Sequence, residues 1–286
     1  MRTLYARRNS VRNASALYAG SARCTPVESA GRSPPITWSG AVPAKNPTAV
    51  PSVWTRQKRE PDQPALSRDA IVREAVAMLD AEGVEALSMR KLGARLGAGA
   101  TSLYRHVATK DELMELALDE VAAEMDVPSA DGADWRAGIA GAGQSFRATV
   151  LRHPWLASVL GQAGLVYLGP NLMAYTERLA ALFTAAGFTE PGRAIEPLLG
   201  YVIGMSTTEA AWLTTVARSG ETEAAFIARL MPAARQAAAP HAHLAGDYAT
   251  DAAGPADPVV FRDEKFTYGL EVVLDGLALR LPREAP

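Results

Sequence analysis

Basic side chains dominate the stretch from Ser88 to Lys110, which contains no Asp or Glu. The cationic residues are Arg90, Lys91, Arg95, Arg105 and Lys110, and His106 lies beside them. A surface of this kind suits a polyanion, because Lys and Arg replace the cations condensed on a phosphate chain and gain affinity by releasing them. We therefore expect a negatively charged partner to approach this stretch.

Side-chain chemistry separates the residues that would position a nucleic acid from those that would read its sequence. Tyr104 can reach a phosphate with its hydroxyl, and Lys110 adds a charge beside the exposed amides at the start of a helix. Arg90, Arg105 and His106 could reach base edges, where an Arg binds guanine through two hydrogen bonds. These five residues are the principal candidates for DNA contact.

Smaller residues complete the candidate DNA-contacting set. Thr101 and Ser102 can bind either a phosphate or a base, and Gly99 and Ala100 are small enough to let the backbone come close. Lys91 adds its charge to the same surface. On composition alone, a basic solvated surface without a partner is an equally good interpretation, because short helix pairs with glycine turns are common in bundles.

The elements that would hold these side chains are short amphipathic helices. Ser67, Ser88 and Thr109 each precede an apolar helical pattern and are predicted to cap a helix N-terminus. Glu112 follows Thr109 at the capping-box spacing, and the acids of that helix are expected on its outer face. The predicted helices follow Ser67 as far as Gly83, run from Ser88 to Leu96 and from Ala100 to His106, and begin again at Thr109.

Two short helices joined by a Gly-containing turn and braced by a longer helix are typical of a helix-turn-helix unit, whose second short helix enters the DNA major groove. Leu103 and Val107 are predicted to pack in the core beneath that second helix. Beyond residue 131 longer helices are predicted at about 133–152, 155–163, 170–187, 191–218, 221–238 and 260–281. We find no strand signal and no internal repeat, so we predict an all-helical fold.

Composition limits the function classes further. The 286 residues suffice for one large or two ordinary domains, and a net charge of -2 favours no particular partner. The single cysteine, Cys24, excludes an internal disulfide framework and a multi-cysteine zinc site. No apolar run approaches the ~20 residues of a membrane span and no signal-peptide core is visible, so we expect a cytoplasmic location.

The first 62 residues differ from the rest, with scattered Arg, Ser, Pro, Gly and Asn and no sustained periodicity. We predict a disordered basic tail. Such a tail could attract nucleic acid loosely by counterion release. A functionless extension or a start codon assigned too far upstream is the simpler interpretation.

Residues 67–123 resemble the DNA-binding domain of the tetracycline-repressor (TetR) family of bacterial transcription regulators. The resemblance is carried by the turn GVEALSMRKL, the segment LYRHV and the KDEL start of the fourth helix. It implies a homodimer whose two recognition helices occupy successive major-groove turns of a near-palindromic operator.

A weaker resemblance to the effector domain of tetracycline repressors continues through SFRATVLRHPWLA at 145–157 and FTYGLEVVLDGLALRL at 266–281. It implies ligand control and a four-helix dimer interface built from the helices at about 191–218 and 260–281. The chain is thus expected to divide into a tail, a DNA-binding domain, and a ligand-binding and dimerisation domain, at 1–62, 63–126 and 127–286.

One position departs from the tetracycline repressors, which carry a magnesium-binding His in this part of the chain. This chain has VYLGP there, so Tyr167 stands in the place of the ligand. A phenol with a pKa of about 10 is a poor ligand for Mg²⁺ at neutral pH. We therefore expect neither a metal nor a cofactor.

An effector pocket is expected between the helices of the C-terminal bundle. The candidate lining residues are Phe146, Tyr167, Met173, Tyr201, Met205, Glu209 and Trp212. The last four recur at helical spacing along one face. The Glu209 carboxylate on that face would need a partner, and a cationic or hydroxylated ligand is one option. For Met173, Met205 and Trp212, core packing is the preferred interpretation.

Catalytic and metal-binding motifs are not recognisable. His241 and His243 form an isolated H-x-H in a stretch, 240–258, that is predicted to be flexible, and two ligands alone do not make a metal site. We find no nucleophile elbow or phosphate loop, and we expect no enzymatic activity.

The preferred hypothesis is a dimeric, ligand-responsive transcriptional repressor that releases its operator when an effector tilts the fourth helix. The alternative is a helical small-molecule-binding protein or enzyme without sequence-specific DNA binding.

Overall fold

Helices are the only regular elements in the residues that the structure describes. The computed structural model describes residues 66–129, 134–160, 169–249 and 257–281. The α-helices in these ranges are α1 Arg68–Glu82, α2 Met89–Arg95, α3 Ala100–Leu103, α4 Lys110–Ala122, α5 Trp135–Arg152, α6 Leu156–Leu160, α7 Pro170–Ala185, α8 Pro191–Ser219, α9 Glu223–Ala238, α10 Ala242–Ala249 and α11 Pro258–Ala278. A 3-10 turn at Val84–Ala86 joins α1 to α2. The all-helical fold predicted from the sequence is confirmed.

Three of the first four helices begin at polar side chains that cap them. Ser67 and Ser88 each accept a hydrogen bond from the amide three residues later, at 3.1 and 3.2 Å, and Thr109 does so at 2.9 Å. Each bond satisfies an amide that has no partner inside its helix. The three N-caps predicted from the sequence are confirmed.

The first four helices pack into a small bundle. α1 lies against α4, and α2 lies against both α1 and α3. The fully buried members of this bundle are apolar residues at helical spacing: Ile71, Ala75, Met78, Leu79, Leu92, Leu103, Val107, Leu113 and Ala117. Burial of each Leu or Ile stabilises the fold by roughly 1.5–3 kcal/mol relative to exposure. The predicted core positions Leu103 and Val107 are confirmed.

The remaining helices surround α8, which contacts α5, α6, α7, α9 and α11. Aromatic side chains fill this second core, where Phe146, Tyr175, Phe183 and Phe266 are almost fully buried. α7 also packs on α4, which connects the two bundles. Although α8 contains 29 residues, neither it nor another helix of the described ranges is long and apolar enough to cross a membrane.

Two predicted elements differ from the observed ones. α3 ends at Leu103 rather than His106, because the amides of His106 and Val107 both bond to the Leu103 carbonyl at 2.9 Å and close the chain into a turn. The stretch predicted to be flexible contains α10, so His243 lies in a helix and not in a loop. α10 packs on α9, and this tertiary contact is invisible in the local sequence. The predicted tail, 1–62, lies outside the described residues.

Candidate DNA-binding surface and effector domain

A tight turn joins α2 to α3 and holds the two helices at a fixed angle. The Ala98 amide donates to the Gly93 carbonyl at 2.8 Å, and Gly97 has a φ of 64°, in the left-handed region that favours glycine. A Cβ atom at Gly93 would lie 2.7 Å from the Ala98 carbonyl oxygen and 3.3 Å from the Ala100 nitrogen. The turn can therefore come this close to α2 only because residue 93 has no side chain.

The outer face of α3 and of the turn that follows it is open to solvent. Leu103 and Val107 hold this segment to the core. On its other side His106 is half-buried, and the other candidate contact residues are exposed: Thr101, Ser102, Tyr104 and Arg105. The Tyr104 ring is 52% exposed although it is large and apolar. This arrangement presents hydroxyl and cationic groups outward from a rigid support, as a DNA-reading segment requires.

Two of the basic residues from the sequence-predicted surface are bound to acids outside it. Lys91 forms an ion pair with Glu82, whose pKa is lowered chiefly by the hydrogen bond from that ammonium group. Arg95 donates to Glu74 at 2.5 Å and to Glu82 at 3.3 Å. Both acids belong to α1, which lies outside the acid-free stretch. The fold thus places carboxylates against a surface whose local sequence contains none.

The remaining basic residues differ in whether their side chains already contact other protein groups. Lys110 donates through Nζ to the Val84 carbonyl at 3.2 Å, which ties α4 to the 3-10 turn. Arg90 and Arg105 are exposed, and their side chains make neither an ion pair nor a hydrogen bond within the described ranges. These two guanidinium groups are consequently the most available cations for a phosphate or a guanine.

Two acids of α4 are buried, which contradicts the expectation that the acids of this helix face outward. Glu112 is 3% exposed and Asp119 is 4% exposed. Glu112 accepts a bond from the Ala108 amide at 3.0 Å, one residue before the position that a capping box would use, and its second oxygen lies 4.0 Å from Arg68. Both carboxylates therefore perform structural tasks at specific backbone amides or cations.

Asp119 connects α4 to the first turn of α7. Its Oδ1 accepts from the amides of Asn171 and Leu172, both at 3.0 Å. The Asn171 side-chain amide donates to Asp119 Oδ2 at 3.1 Å and to the Asp119 carbonyl at 3.0 Å. Burial raises the pKa of the Asp119 carboxyl, and the bonds from Leu172 and Asn171 oppose this effect. We call this set of four hydrogen bonds the α4–α7 contact.

A second polar cluster joins α1, the end of α4 and α5. His153 contacts Asp80 through Nδ1 at 2.7 Å and Glu124 through Nε2 at 3.2 Å. Trp155 donates through its indole N–H to the same Asp80 oxygen at 2.8 Å, and Arg152 donates to Glu124 at 2.7 Å. This cluster therefore connects the two helical bundles in addition to the α4–α7 contact.

The described candidate effector residues have different surroundings. Phe146 is buried and packs against Tyr175, with ring centroids 6.1 Å apart. Met173 is 50% exposed, which is against its preferred interpretation as a core residue. The Tyr201 hydroxyl donates to the Phe266 carbonyl of α11 at 2.8 Å. Tyr167 lies outside the described residues.

The Glu209 carboxylate, for which a ligand was one possible partner, is already bound by protein cations. Arg147 donates to its two oxygens at 2.6 and 2.7 Å, and Arg262 donates at 2.9 Å. Arg147 also pairs with Asp263 at 2.8 Å and lies 5.0 Å from the Phe266 ring centre. This carboxylate needs no cationic ligand.

Trp212, the fourth candidate on α8, holds α9 in place together with Arg262. Its indole N–H donates to Glu223 at 2.7 Å, and its ring meets Phe226 edge-on at 5.3 Å. Arg262 binds the other oxygen of Glu223. Met205 is half-buried on the same helix. Trp212 is half-buried, and both its ring and its indole N–H contact α9.

Several important residues escaped sequence reasoning, although a signal existed for two of them. Arg147 follows Ile139 by eight residues and Gly143 by four, so it is a charge in the apolar stripe of α5. Asp119 likewise follows the buried Glu112 by seven residues, or two helical turns. A charge at a core position of a helical pattern predicts a buried partner.

Within the described ranges no group of three His, Cys, Asp or Glu side chains could hold a metal ion.

Family models match the chain over both bundles. The model described as "Bacterial regulatory proteins, tetR family" matches residues 71–117, and "Tetracyclin repressor-like, C-terminal domain" matches residues 127–281. The second match alone covers more than half of the chain.

Named relatives agree with these models. An HTH-type transcriptional regulator of Saccharopolyspora erythraea is 43% identical over 56% of this chain and 69% of that protein. The HTH-type transcriptional repressor DrrR1 of Streptomyces coeruleorubidus is 35% identical over 78% of this chain and 80% of that protein. The solved TetR family protein ActR of Streptomyces coelicolor, in complex with actinorhodin, superposes with a TM-score of 0.63 at 30% identity, covering 77% of this chain and all of that one.

Proposed function

Because this chain belongs to the tetR family of bacterial regulatory proteins, we propose that it is a repressor that binds operator DNA as a homodimer and releases it when a small molecule binds the C-terminal bundle. The DNA-binding domain comprises residues 63–126, and the effector and dimerisation domain comprises residues 127–286. The protein acts in the cytoplasm, where the chromosome is accessible. Its targets are double-stranded DNA and one class of small effector.

One observation carries the DNA-binding half of this proposal. The segment after Gly99 is fixed to the core by Leu103 and Val107, while Tyr104 and Arg105 project into solvent. The first of these exposed side chains can bind a phosphate and the second a guanine. Arg90, at the exposed side of α2, supplies a further cation within the same unit.

Dimerisation is supported by the apolar surface of α11. Exposed large apolar side chains recur along this helix and at its C-cap, at Val260, Phe261, Tyr268, Val272 and Leu279. A surface of this kind is costly in water unless a partner covers it. A second copy packed against α8 and α11 would cover it. It would also set the separation of the two recognition segments, each formed by α3 and the turn that follows it, residues 100–107. One helical turn of DNA requires a separation of ~34–36 Å.

Effector binding is assigned to the larger bundle, and ActR supplies a probe. That relative is solved in complex with actinorhodin, so actinorhodin is the first compound to test on this chain. An effector that binds one conformation better than the other shifts the protein toward that conformation by its difference in affinity. The same linkage requires bound operator to weaken the effector by an equal factor.

The decisive experiment is a gel shift with the DNA upstream of the gene and a matched random duplex. We expect retardation of the upstream DNA and its weakening in Arg90→Ala and Arg105→Ala, while Arg193→Ala, an exposed substitution on α8, leaves binding unchanged. If the full-length protein fails to retard upstream DNA even at low salt, the alternative of a helical small-molecule-binding protein or enzyme is favoured. Release of the retarded DNA by actinorhodin would support the effector half.

A further inference from the structure

We infer that Asp119 is the residue through which the effector domain positions the DNA-binding helices, an inference that rests on the proposed function. The hydrogen bonds of the α4–α7 contact carry this role. Asp119 contacts neither DNA nor the effector, and it acts through α4 and through the first turn of α7.

The α4–α7 contact supplies the N-terminal cap that α7 lacks. Gly169 precedes α7 and has no side chain with which to accept a hydrogen bond from the first helical amides. Asp119 of α4 accepts these bonds instead, from Asn171 and Leu172 at 3.0 Å each. An acid is the favourable residue at this place, because the amides and the helix dipole make the N-terminus partly positive. The cap of an effector-domain helix thus belongs to the helix that follows the recognition segment.

Burial makes the loss of this contact costly. Asp119 is 4% exposed, so its hydrogen-bond donors come from the first turn of α7 and not from bulk water. A buried carboxylate without donors is strongly unfavourable. A displacement of α7 must therefore either carry Asp119 and α4 along or expose this carboxylate to solvent. The first outcome moves α4, and the second loses the hydrogen bonds of the α4–α7 contact.

Gly169 allows the two helices to approach this closely. A Cβ atom at this position would overlap the Asp119 carboxyl group. Its φ of -64° is one that any residue adopts, so space and not backbone conformation is the reason for glycine here. The absence of a side chain at Gly169 therefore leaves the space that the Asp119 side chain occupies.

The other end of α4 is fixed to the DNA-binding helices. Thr109 caps α4 next to the recognition segment, and Glu112 accepts from the Ala108 amide at 3.0 Å. Lys110 binds the Val84 carbonyl at 3.2 Å. Seven residues, or two helical turns, separate Glu112 from Asp119 on a helix of 13 residues. A movement received at Asp119 is therefore delivered to the base of the recognition segment by a short, rigid helix.

Hydrogen exchange of the full-length protein tests this inference with operator DNA as the probe. Coupling between two sites is reciprocal. If α4 couples the DNA-binding helices to α7, operator binding must therefore change how often the first turn of α7 opens to solvent exchange. We expect bound operator to protect the α3 amides and to change the exchange rates of the Asn171 and Leu172 amides by about fivefold or more. In Asp119→Asn, whose amide oxygen can still accept while the charge is absent, the change at α7 should shrink and the protection of α3 should remain. Asp111→Asn, an exposed acid of the same helix, should behave like the wild type.

The outcomes separate this inference from the proposed function. Protection at α3 with unchanged exchange at Asn171 and Leu172 would overturn the role of Asp119 and leave DNA binding intact. Absence of protection at α3 would overturn the proposed function, and the inference with it. A second measurement uses Gly169→Ala, which forces the carboxyl group away. In this variant, the factor by which actinorhodin weakens operator binding should fall toward one. An unchanged factor in a folded variant would contradict the inference.

Discussion

Arg147 of α5 and Glu209 of α8 form a two-pronged ion pair, with nitrogen-to-oxygen distances of 2.6 and 2.7 Å. Both side chains are less than one-tenth exposed. Arg262 and Glu223 extend the pair to α11 and α9, so one connected set of charges joins four helices. The Arg147 pKa is raised, chiefly by the hydrogen bonds to Glu209, which keeps the guanidinium charged at every accessible pH.

Glu209→Ala should lower the free energy of unfolding by about 3–5 kcal/mol, because it leaves Arg147 buried without its main partner. Urea denaturation followed by circular dichroism measures this loss. The matched control is Glu190→Ala, which breaks an exposed pair with Arg193 and should cost less than about 1 kcal/mol. Equal losses in both variants would show that burial does not distinguish the two pairs.

Gly93→Ala should destabilise the DNA-binding bundle by about 1–3 kcal/mol, because its Cβ would press on backbone atoms of the turn rather than on a mobile side chain. Thermal unfolding and the gel shift should both respond. Gly99→Ala is the control for thermal unfolding alone, because Gly99 is itself a candidate DNA contact. A Cβ there meets nothing within 4 Å, so its cost should stay below about 1 kcal/mol. A fully stable Gly93→Ala protein would refute the close approach described for this turn.

Arg105→Ala should weaken operator binding and reduce the slope of log affinity against log salt by about 0.9 for each phosphate that is no longer neutralised. Lys91→Ala should reduce the slope less, because Glu82 already pairs with that ammonium group. Operator titrations at several salt concentrations give both slopes. The order of the two effects is the critical result, and the reverse order would show that Lys91 rather than Arg105 contributes the larger charge to DNA binding.

The Asp119 carboxyl gives the folded protein a specific pH dependence. Its pKa is raised by burial, so the native state holds the proton more tightly than the unfolded chain does. Its stabilising contribution is therefore complete below the unfolded pKa of about 3.9 and is lost as the pH rises through the folded pKa. Asp119→Asn cannot titrate. The unfolding free energy of the wild type minus that of this variant should decrease from acidic to neutral pH, and a constant difference would contradict the raised pKa.

Tyr268→Glu should convert the proposed homodimer to a monomer. The side chain is 73% exposed in one protomer, so the substitution leaves the fold of that protomer unstrained. A charge buried in an apolar interface, in contrast, opposes association strongly. Sedimentation velocity distinguishes the two states. Leu244→Glu, an exposed apolar position on α10, is the control and should remain dimeric.

Local features of the fold can be predicted from the sequence, because they depend on residues close together in the chain. Ser67, Ser88 and Thr109 cap helices at the expected positions, and each cap bonds to an amide only three residues away. The apolar spacing also places Leu103 and Val107 in the core. These predictions need no knowledge of the tertiary structure.

The candidate sites are harder to predict because their partners are distant in sequence. Arg95 lies 21 positions from Glu74, and Arg147 lies 62 positions from Glu209. Asp119 reaches an amide 52 residues away. Pattern alone places a charge on a helical face, but it does not say which group from another helix meets it. For that reason the sequence wrongly predicts two acids of α4, Glu112 and Asp119, on the outside and leaves Glu209 open to a ligand.

The tryptophans give this molecule built-in reporters for its separate contacts. Trp155 donates to Asp80 at 2.8 Å where the two bundles meet, whereas Trp212 donates to Glu223 at 2.7 Å between α8 and α9. Indole emission responds to the polarity and the charges around the ring. Variants that retain only Trp155 or only Trp212 of the five tryptophans would therefore report on either location by the colour of their fluorescence alone, without an attached dye.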